Sequence, residues 1–593
     1  MMKSCLPALV VCAALAACAQ QPVAPTAGEA PSPQPKAATK PQPKVTATKP
    51  GPKTQLPPHE LTEQLMLKLM LAEVAVQRGQ PHIAVPAYLE LARETRDPRV
   101  TQRATEVAWN ARFIDSAIEA AGLWLQADPQ SQQARQVLAA LLVNQAQLAN
   151  ALPHLEKWLR ADEARVGQSF LQITALLARH KDKKAVLELM QGLASSYREV
   201  PEARFAVAQA AWNAENTEVA LSEVRAALRL RPDWEVAALF QAQILQRRSV
   251  AEALAYLAGY IKDHPQAKDA RLSYARLLVS DRKLPEARKQ FELLLAEFPD
   301  NAEVTMAVAL LALQMNDYDA AEAQFKRALE KNYKDPDSVR LYLGQLNEER
   351  KRYDEALKWY GAVNVGEQYI NAQARYAGVL SKQGKLAEAR KHLQQINARS
   401  TAQRVQLTQA EAQLLREATA YQEAFDVLGR ALEKLPDYPE LLYDHAMAAE
   451  KVNRLDILES NLRKLIALRP DHAHAHNALG YTLADRNDRL DEARQLVETA
   501  LRLAPEDPFI MDSMGWVLYR QGQIPEALDY LRRAHALRPD PEIAAHLGEL
   551  LWVSGQRDEA RKLWATVQKE HPGNEVLQNT VNRFLRTDHP AAR

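Results

Sequence analysis

Between Ala475 and Pro572 one pattern occurs three times. It reads Leu479-Gly480, Ala493, Val497, Ala500 and Pro505, then Met514-Gly515, Ala527, Leu531, Ala534 and Pro539, then Leu547-Gly548, Ala560, Trp564, Val567 and Pro572. From copy to copy the glycines advance by 35 and 33 residues, and the alanines and the prolines each by 34 and 33. The Gly and the later Ala belong where the two helices of a hairpin cross closest, because a larger side chain there would push them apart. The positions at that Ala, four and seven residues on, share one face of the second helix and form its buried stripe. The Pro follows that helix and stops it. One such hairpin cannot cover its own apolar faces, so copies must stack.

A period near 34 with Leu-Gly, Ala and Pro at these offsets resembles the tetratricopeptide-repeat (TPR) signature. The whole chain of 593 residues is too long for one compact core, a limit that stacking removes because each repeat touches only its neighbours. Glycine is scarce, 19 of 593 or about 3% against a usual ~7%. Ala, Leu, Glu, Gln and Arg dominate, and alternating runs of β-branched residues are rare, which is an all-α composition. The formal charge is +1, so no basic excess points to nucleic acid.

Followed by its second-helix alanine, the repeat traces through Ala87, Ala117, Ala151, Ala185, Ala220, Ala253, Ala287, Ala321, Ala356, Ala389 and Ala424. Leu458 holds the place once, and Ala493, Ala527 and Ala560 complete the series. The first step is 30 residues and the others are 33 to 35. Twelve residues before most of these lies a small residue such as Ala75, Ala139, Ala208, Ala275, Ala309, Gly344 or Ala412. Pro232, Pro265, Pro299, Pro436 and Pro470 agree with the stop position; Val363 to Tyr369 and Asn397 to Gln403 lack it. The expectation is an all-α TPR superhelical solenoid of up to about fifteen hairpins over residues 59–572, clearest over 473–572. A closing helix and tail follow over 573–593.

The N-terminus reads differently. Lys3 precedes an apolar run from Leu6 to Leu15, followed by Leu15-Ala16-Ala17-Cys18. About ten apolar residues suit a signal-peptide core and are too few to span a bilayer. Cys after Leu-Ala-Ala resembles the lipobox of bacterial lipoproteins. That implies removal of residues 1–17 and lipidation of Cys18, whose acyl chains would anchor the protein in a membrane. Ala19 in place of Asp implies sorting to the periplasmic face of the outer membrane. The other cysteines, Cys5 and Cys12, fall within the leader, so the repeats have no disulfide or thiolate metal site. Residues 19–58 are rich in Pro, Ala, Lys, Thr and Gln, the composition of a disordered tether reaching roughly 120 Å.

Helical pattern begins near Glu60. The stretch Leu61 to Ala75, including Leu65 and Leu69, is apolar around much of its circumference, so it packs within the chain or meets a partner. No phosphate loop, His-Glu-x-x-His or Gly-x-Ser-x-Gly is present, so no catalytic residue and no cofactor or small-molecule site is expected. In His472-Ala-His474-Ala-His476 only the outer two share a helical face, which makes a weak metal site; none is expected. The first helices of the three clear copies offer Asn477, Tyr481 and Asp485, then Asp512, Trp516, Tyr519 and Arg520, then Trp552. Aromatic and Arg residues carry binding energy when exposed, or else pack between hairpins.

Two regions are more specific. One is Leu71-Ala-Glu73, Gln77-Arg-Gly79, Tyr88-Leu-Glu-Leu-Ala92, Thr95-Arg-Asp97-Pro98-Arg99-Val100 and Arg103-Ala104. The other is Asn477-Ala-Leu-Gly480-Tyr481, Asp512-Ser-Met-Gly515-Trp516 and His546-Leu-Gly548-Glu549. With the lipobox and the Pro-rich segment, these resemble a proteobacterial family of long TPR outer-membrane lipoproteins. Its best-known type is the lipoprotein partner of a periplasmic carboxyl-terminal processing protease. The resemblance implies a non-catalytic adaptor that binds this protease and its peptidoglycan-hydrolase substrates and promotes their proteolysis. The alternative is an assembly factor for an envelope machine, in pilus formation, secretion or exopolysaccharide export.

Overall fold

The computed structural model describes residues 62–364 and 366–587. The expected signal peptide, Cys18, the Pro-rich segment, Leu61 and the expected tail over 588–593 lie outside the described residues. Among those described there are 31 α-helices, one short 3-10 turn and no strand. The helices pair into fifteen consecutive hairpins, from Glu63–Gln77 with Pro81–Thr95 to Pro541–Val553 with Arg557–Glu570, and a closing helix follows at Glu575–Thr587. This is the all-α repeat array that the spacing implied.

The fourth residue of every second helix is buried, no more than 5% exposed: Ala84, Ala117, Ala151, Val186, Ala220 and so on to Ala560. Two positions in the sequence trace need correction. In the first hairpin the buried place belongs to Ala84, while Ala87 is half-buried one turn further on. Its partner twelve residues earlier is Ala72, which is fully buried; Ala75, also buried, lies one turn later. In the fourth hairpin Val186 holds the place and Ala185 is half-buried. With both corrected, every step is 33 to 35 residues and the odd step of 30 disappears.

The glycines show why the pattern is strict. A Cβ on Gly480 would stand 2.6 Å from Val497 Cγ2 and 2.9 Å from the Ala493 carbonyl oxygen. One on Gly515 would meet Leu531 at 2.6 Å, and one on Gly548 would meet Trp564 at 2.0 Å. Gly344 stands in the same relation to Tyr360, at 2.3 Å. In each hairpin the glycine thus makes room for the residue four after the conserved-spacing alanine.

Second helices that are followed by proline end two residues before it, as at Leu503 before Pro505 and Leu537 before Pro539. Most first helices open with Pro or with a side-chain cap: Asp97 accepts from the Arg99 amide at 2.8 Å ahead of Pro98, and Asp507 accepts from the Phe509 amide at 2.8 Å ahead of Pro508. The connections Val363 to Tyr369 and Asn397 to Gln403, which lack proline, follow the two shortest second helices, Tyr353–Gly361 and Leu386–Gln395.

The chain forms two compact units, divided after Lys331. In the first, buried residues from Ala72 to Leu311 make one continuous apolar cluster. In the second, the buried residues from Leu442 to Val581 make a large cluster, while those before it fall into smaller ones, Leu341 to Val379, Ile370 to Leu414 and Val405 to Ala448.

Candidate functional site

The first helix, Glu63–Gln77, has two unlike sides. Its inner side is held by buried Ala72 and Ala75 and by ion pairs. Lys68 donates to Glu90 at 2.7 Å and Glu94 at 2.9 Å. Glu73 takes both Arg103 Nε at 3.0 Å and Nη2 at 3.2 Å, and the Tyr88 hydroxyl as well. These bonds hold the Glu73 carboxyl below its ordinary range, Arg103 first and Tyr88 second. Burial and the Glu73 contact push the Tyr88 phenol up to about 12. Glu73, Tyr88 and Arg103 all belong to the N-terminal motif, so much of that motif is the clamp between the first and second hairpins.

The outer side carries Leu67 at 68% exposure, Met70 at 58% and Leu71 at 56%, with Met66 and Val74 also exposed. Leu69 is exposed at the margin and Leu65 is half-buried against the core. Leaving this much apolar surface in water carries a solvation cost, at roughly 25 cal/mol per Å². The helix therefore packs within the chain on one side and leaves an apolar side exposed.

The second region lies in the last three hairpins, where first helices pack side by side. Asp512 accepts the Nδ1–H of His546, at 3.0 and 2.9 Å to its two oxygens. The Tyr481 hydroxyl lies 3.4 Å from His546 Nε2. The Trp516 ring stacks on His546 with centroids 4.3 Å apart, and Tyr519 packs on Trp516 at 5.3 Å. Burial by itself would push the His546 imidazole down; the facing Asp512 carboxylate, with Glu549 and Asp485 beyond it, outweighs that and holds it above its ordinary value. Burial pushes the Tyr481 phenol well up. Arg520 reaches back one repeat and donates to the carbonyls of Ala484 at 3.0 Å and Asp485 at 2.8 Å, the negative end of the preceding first helix. Glu549, buried, receives Arg583 from the closing helix.

The residues singled out from sequence therefore fall in two groups. Tyr481, Asp512, Trp516, Tyr519 and Arg520 come together, with Trp516 and Asp512 buried between hairpins and Tyr481, Tyr519 and Arg520 half-buried. Asn477 is half-buried and Asp485 exposed on the same helix. Trp552 stands apart, 7% exposed, against Trp564 at 5.8 Å and Phe584 of the closing helix at 6.1 Å. His546 and Glu549 entered the sequence reading only as part of the C-terminal motif, with no role assigned, and Arg583 did not enter it. The available signal was that His546 follows Asp512 by 34 residues, one period, which puts them on adjacent first helices. His472 and His476 serve the backbone: His472 Nδ1 accepts from the Ala475 amide at 3.1 Å, and His476 Nε2 lies 3.0 Å from the Pro470 carbonyl.

Chemically, the first helix offers an apolar face and the last hairpins a hydrogen-bonded aromatic cluster with a partly open rim, in which the buried Trp516 Nε1 has no hydrogen-bond partner. Two tetratricopeptide-repeat models match the sequence, one at residues 307–363 and 443–508, the other at 245–311 and 518–583. TPR repeat-containing protein PA4667 of Pseudomonas aeruginosa is 33% identical over 536 residues, which cover 89% of each chain. Among solved structures, TTC0263, a thermophilic TPR protein of Thermus thermophilus, is 26% identical over 29% of this chain and 95% of its own, with a TM-score of 0.27. MamA of Desulfovibrio magneticus, from residue 41 on, is 19% identical over 28% of this chain and 96% of its own, with a TM-score of 0.24.

Proposed function

Because the chain belongs to the tetratricopeptide-repeat proteins, whose fold is typical of non-catalytic protein-interaction scaffolds, we propose that it is a lipid-anchored adaptor of the bacterial envelope. In this reading Cys18 carries the lipid and holds the array at the periplasmic face of the outer membrane. The array binds a carboxyl-terminal processing protease and peptidoglycan hydrolases, and raises their effective concentration for each other. It performs no catalysis itself.

The observation that carries the reading is the apolar outer face of Glu63–Gln77, at the start of the array and directly after the Pro-rich segment. The motif resemblance at both ends and the kinship to a pseudomonad relative over most of both chains support it.

One experiment tests it. Outer membranes from cells making the wild type, Cys18→Ser or Met70→Glu/Leu71→Glu are solubilised and the chain is purified. Wild type is expected to bring down the protease and a hydrolase. Cys18→Ser is expected in the soluble periplasmic fraction, and the double variant to lose the protease with an unchanged helical melting curve. Recovery of neither protein with folded wild type rejects the adaptor, and recovery of a secretin or polysaccharide-export protein instead moves the reading to envelope-machine assembly.

A further inference from the structure

The second helix Leu386–Gln395 has ten residues, where most others have thirteen or fourteen. The missing turn leaves the start of the next helix, Thr401–Glu417, uncovered. Two adjoining pockets open there, sharing Gln394, Arg404, Thr408 and Glu411. One is floored by Leu393, Ile396 and Leu407, the other by Val427, Leu435 and Leu441. They hold about 220 and 270 Å³, below the roughly 300–1,000 Å³ usual for small-molecule sites, so single side chains of a polypeptide fit them better.

The charge on the rim is one-sided. Glu411 is buried and neutralised by Arg390 at 3.0 Å, with Gln394 at 2.8 Å, and Glu423 is taken by Arg390 as well. Arg404, Arg430 and Lys434 line the groove, are exposed, and have no acidic partner among the described residues. Arg430 and Lys434 are one turn apart on Tyr421–Lys434, and Arg404 faces the same pocket from the preceding helix.

We propose that this groove docks an acidic segment of a partner protein, with apolar side chains entering the two pockets and carboxylates meeting the three cations. The chain's own N-terminal region does not suit it, since residues 1–61 carry six lysines, from Lys3 to Lys53, against Glu29 and Glu60. The inference rests on the interaction-scaffold reading and is independent of which protease or hydrolase the array serves.

The test uses the full chain in detergent. A phage-displayed random dodecapeptide library is panned on wild type, and the enriched sequences are synthesised with a fluorescent and photoreactive label. Enrichment is expected in Asp and Glu together with Leu, Ile or Phe, with crosslinks between residues 393 and 441. Affinity is expected to fall at least about tenfold in Arg404→Glu/Arg430→Glu/Lys434→Glu, less in the corresponding Gln variant, and to weaken from about 50 to 500 mM salt. All three side chains are exposed, so the variants keep the wild-type melting curve. The proposal is overturned by no enrichment, by basic or neutral winners, or by equal binding to the triple variant. A dimer of the chain that the triple variant abolishes would give the groove to a second copy and overturn it too.

Discussion

At the scale of single residues the array is governed by a few contacts that tolerate no extra atom. Gly480 is the clearest, because an added methyl would meet both a side chain and the Ala493 carbonyl, and backbone cannot yield as a flexible side chain does. Gly122, inside Ile114–Ala127, meets nothing within 4 Å. The two therefore respond oppositely to alanine. Gly480→Ala is expected to destabilise by about 1–3 kcal/mol through overpacking. Gly122→Ala is expected to stabilise by about 0.5–1 kcal/mol through helix propensity and the loss of unfolded-state freedom. Urea titrations of the two variants check this, and loss of stability in both would show that the spacing at the helix crossing is not what glycine supplies.

At the scale of helices, neighbours are joined by polar bonds that cross one repeat. Glu459 of Leu455–Leu468 accepts Arg489 at 2.7 and 2.8 Å and Arg463 at 2.8 Å, and its carboxyl is held down at about 2, by Arg489 first. The His546–Asp512 bond joins Pro541–Val553 to Pro508–Arg520 in the same way. His546 is held above its ordinary value in the folded chain, so its contribution is complete below about pH 6.5, the unfolded value, and is lost as pH rises through the folded value. The melting temperature of wild type is thus expected to decline with rising pH above about 6.5. In Asp512→Asn that decline should flatten, since the neutral amide no longer favours the imidazolium. Parallel curves for the two proteins between pH 6 and 9 would remove His546 from the account.

At the scale of the whole molecule, stability is a sum of hairpins and the interfaces between neighbours, so it need not be uniform. Within the second unit, the hairpins from Tyr353 to Lys434 rest on small separate clusters, and those from Ala473 to Glu570 share one large cluster closed by Leu577 and Val581. Amides of Tyr353–Gly361 and Leu386–Gln395 are expected to exchange with deuterium at least about tenfold faster than those of Pro508–Arg520. Uniform protection across the unit would contradict this. The short helix Leu386–Gln395, where fast exchange is expected, also opens the groove at Arg404, so local stability and docking surface share one cause there.

The repeat count, the proline-marked helix stops and the residue at most crossings were legible in the sequence by itself, with Ala87 and Ala185 the two that missed the buried place. They depend on spacing within about 34 residues and on steric facts that hold wherever two helices touch. The sequence could place Trp516, Tyr481 and Trp552 on first helices but could not say that Trp516 would stack on His546, or that the closing helix would bury Trp552. Whether a face is covered depends on side chains a full repeat away, and on where the array ends. The register of the first hairpin, Ala84 and not Ala87, was settled the same way, by which alanine its neighbours enclose. Periodicity fixes the face a residue lies on, and only the packed neighbours decide whether water reaches it.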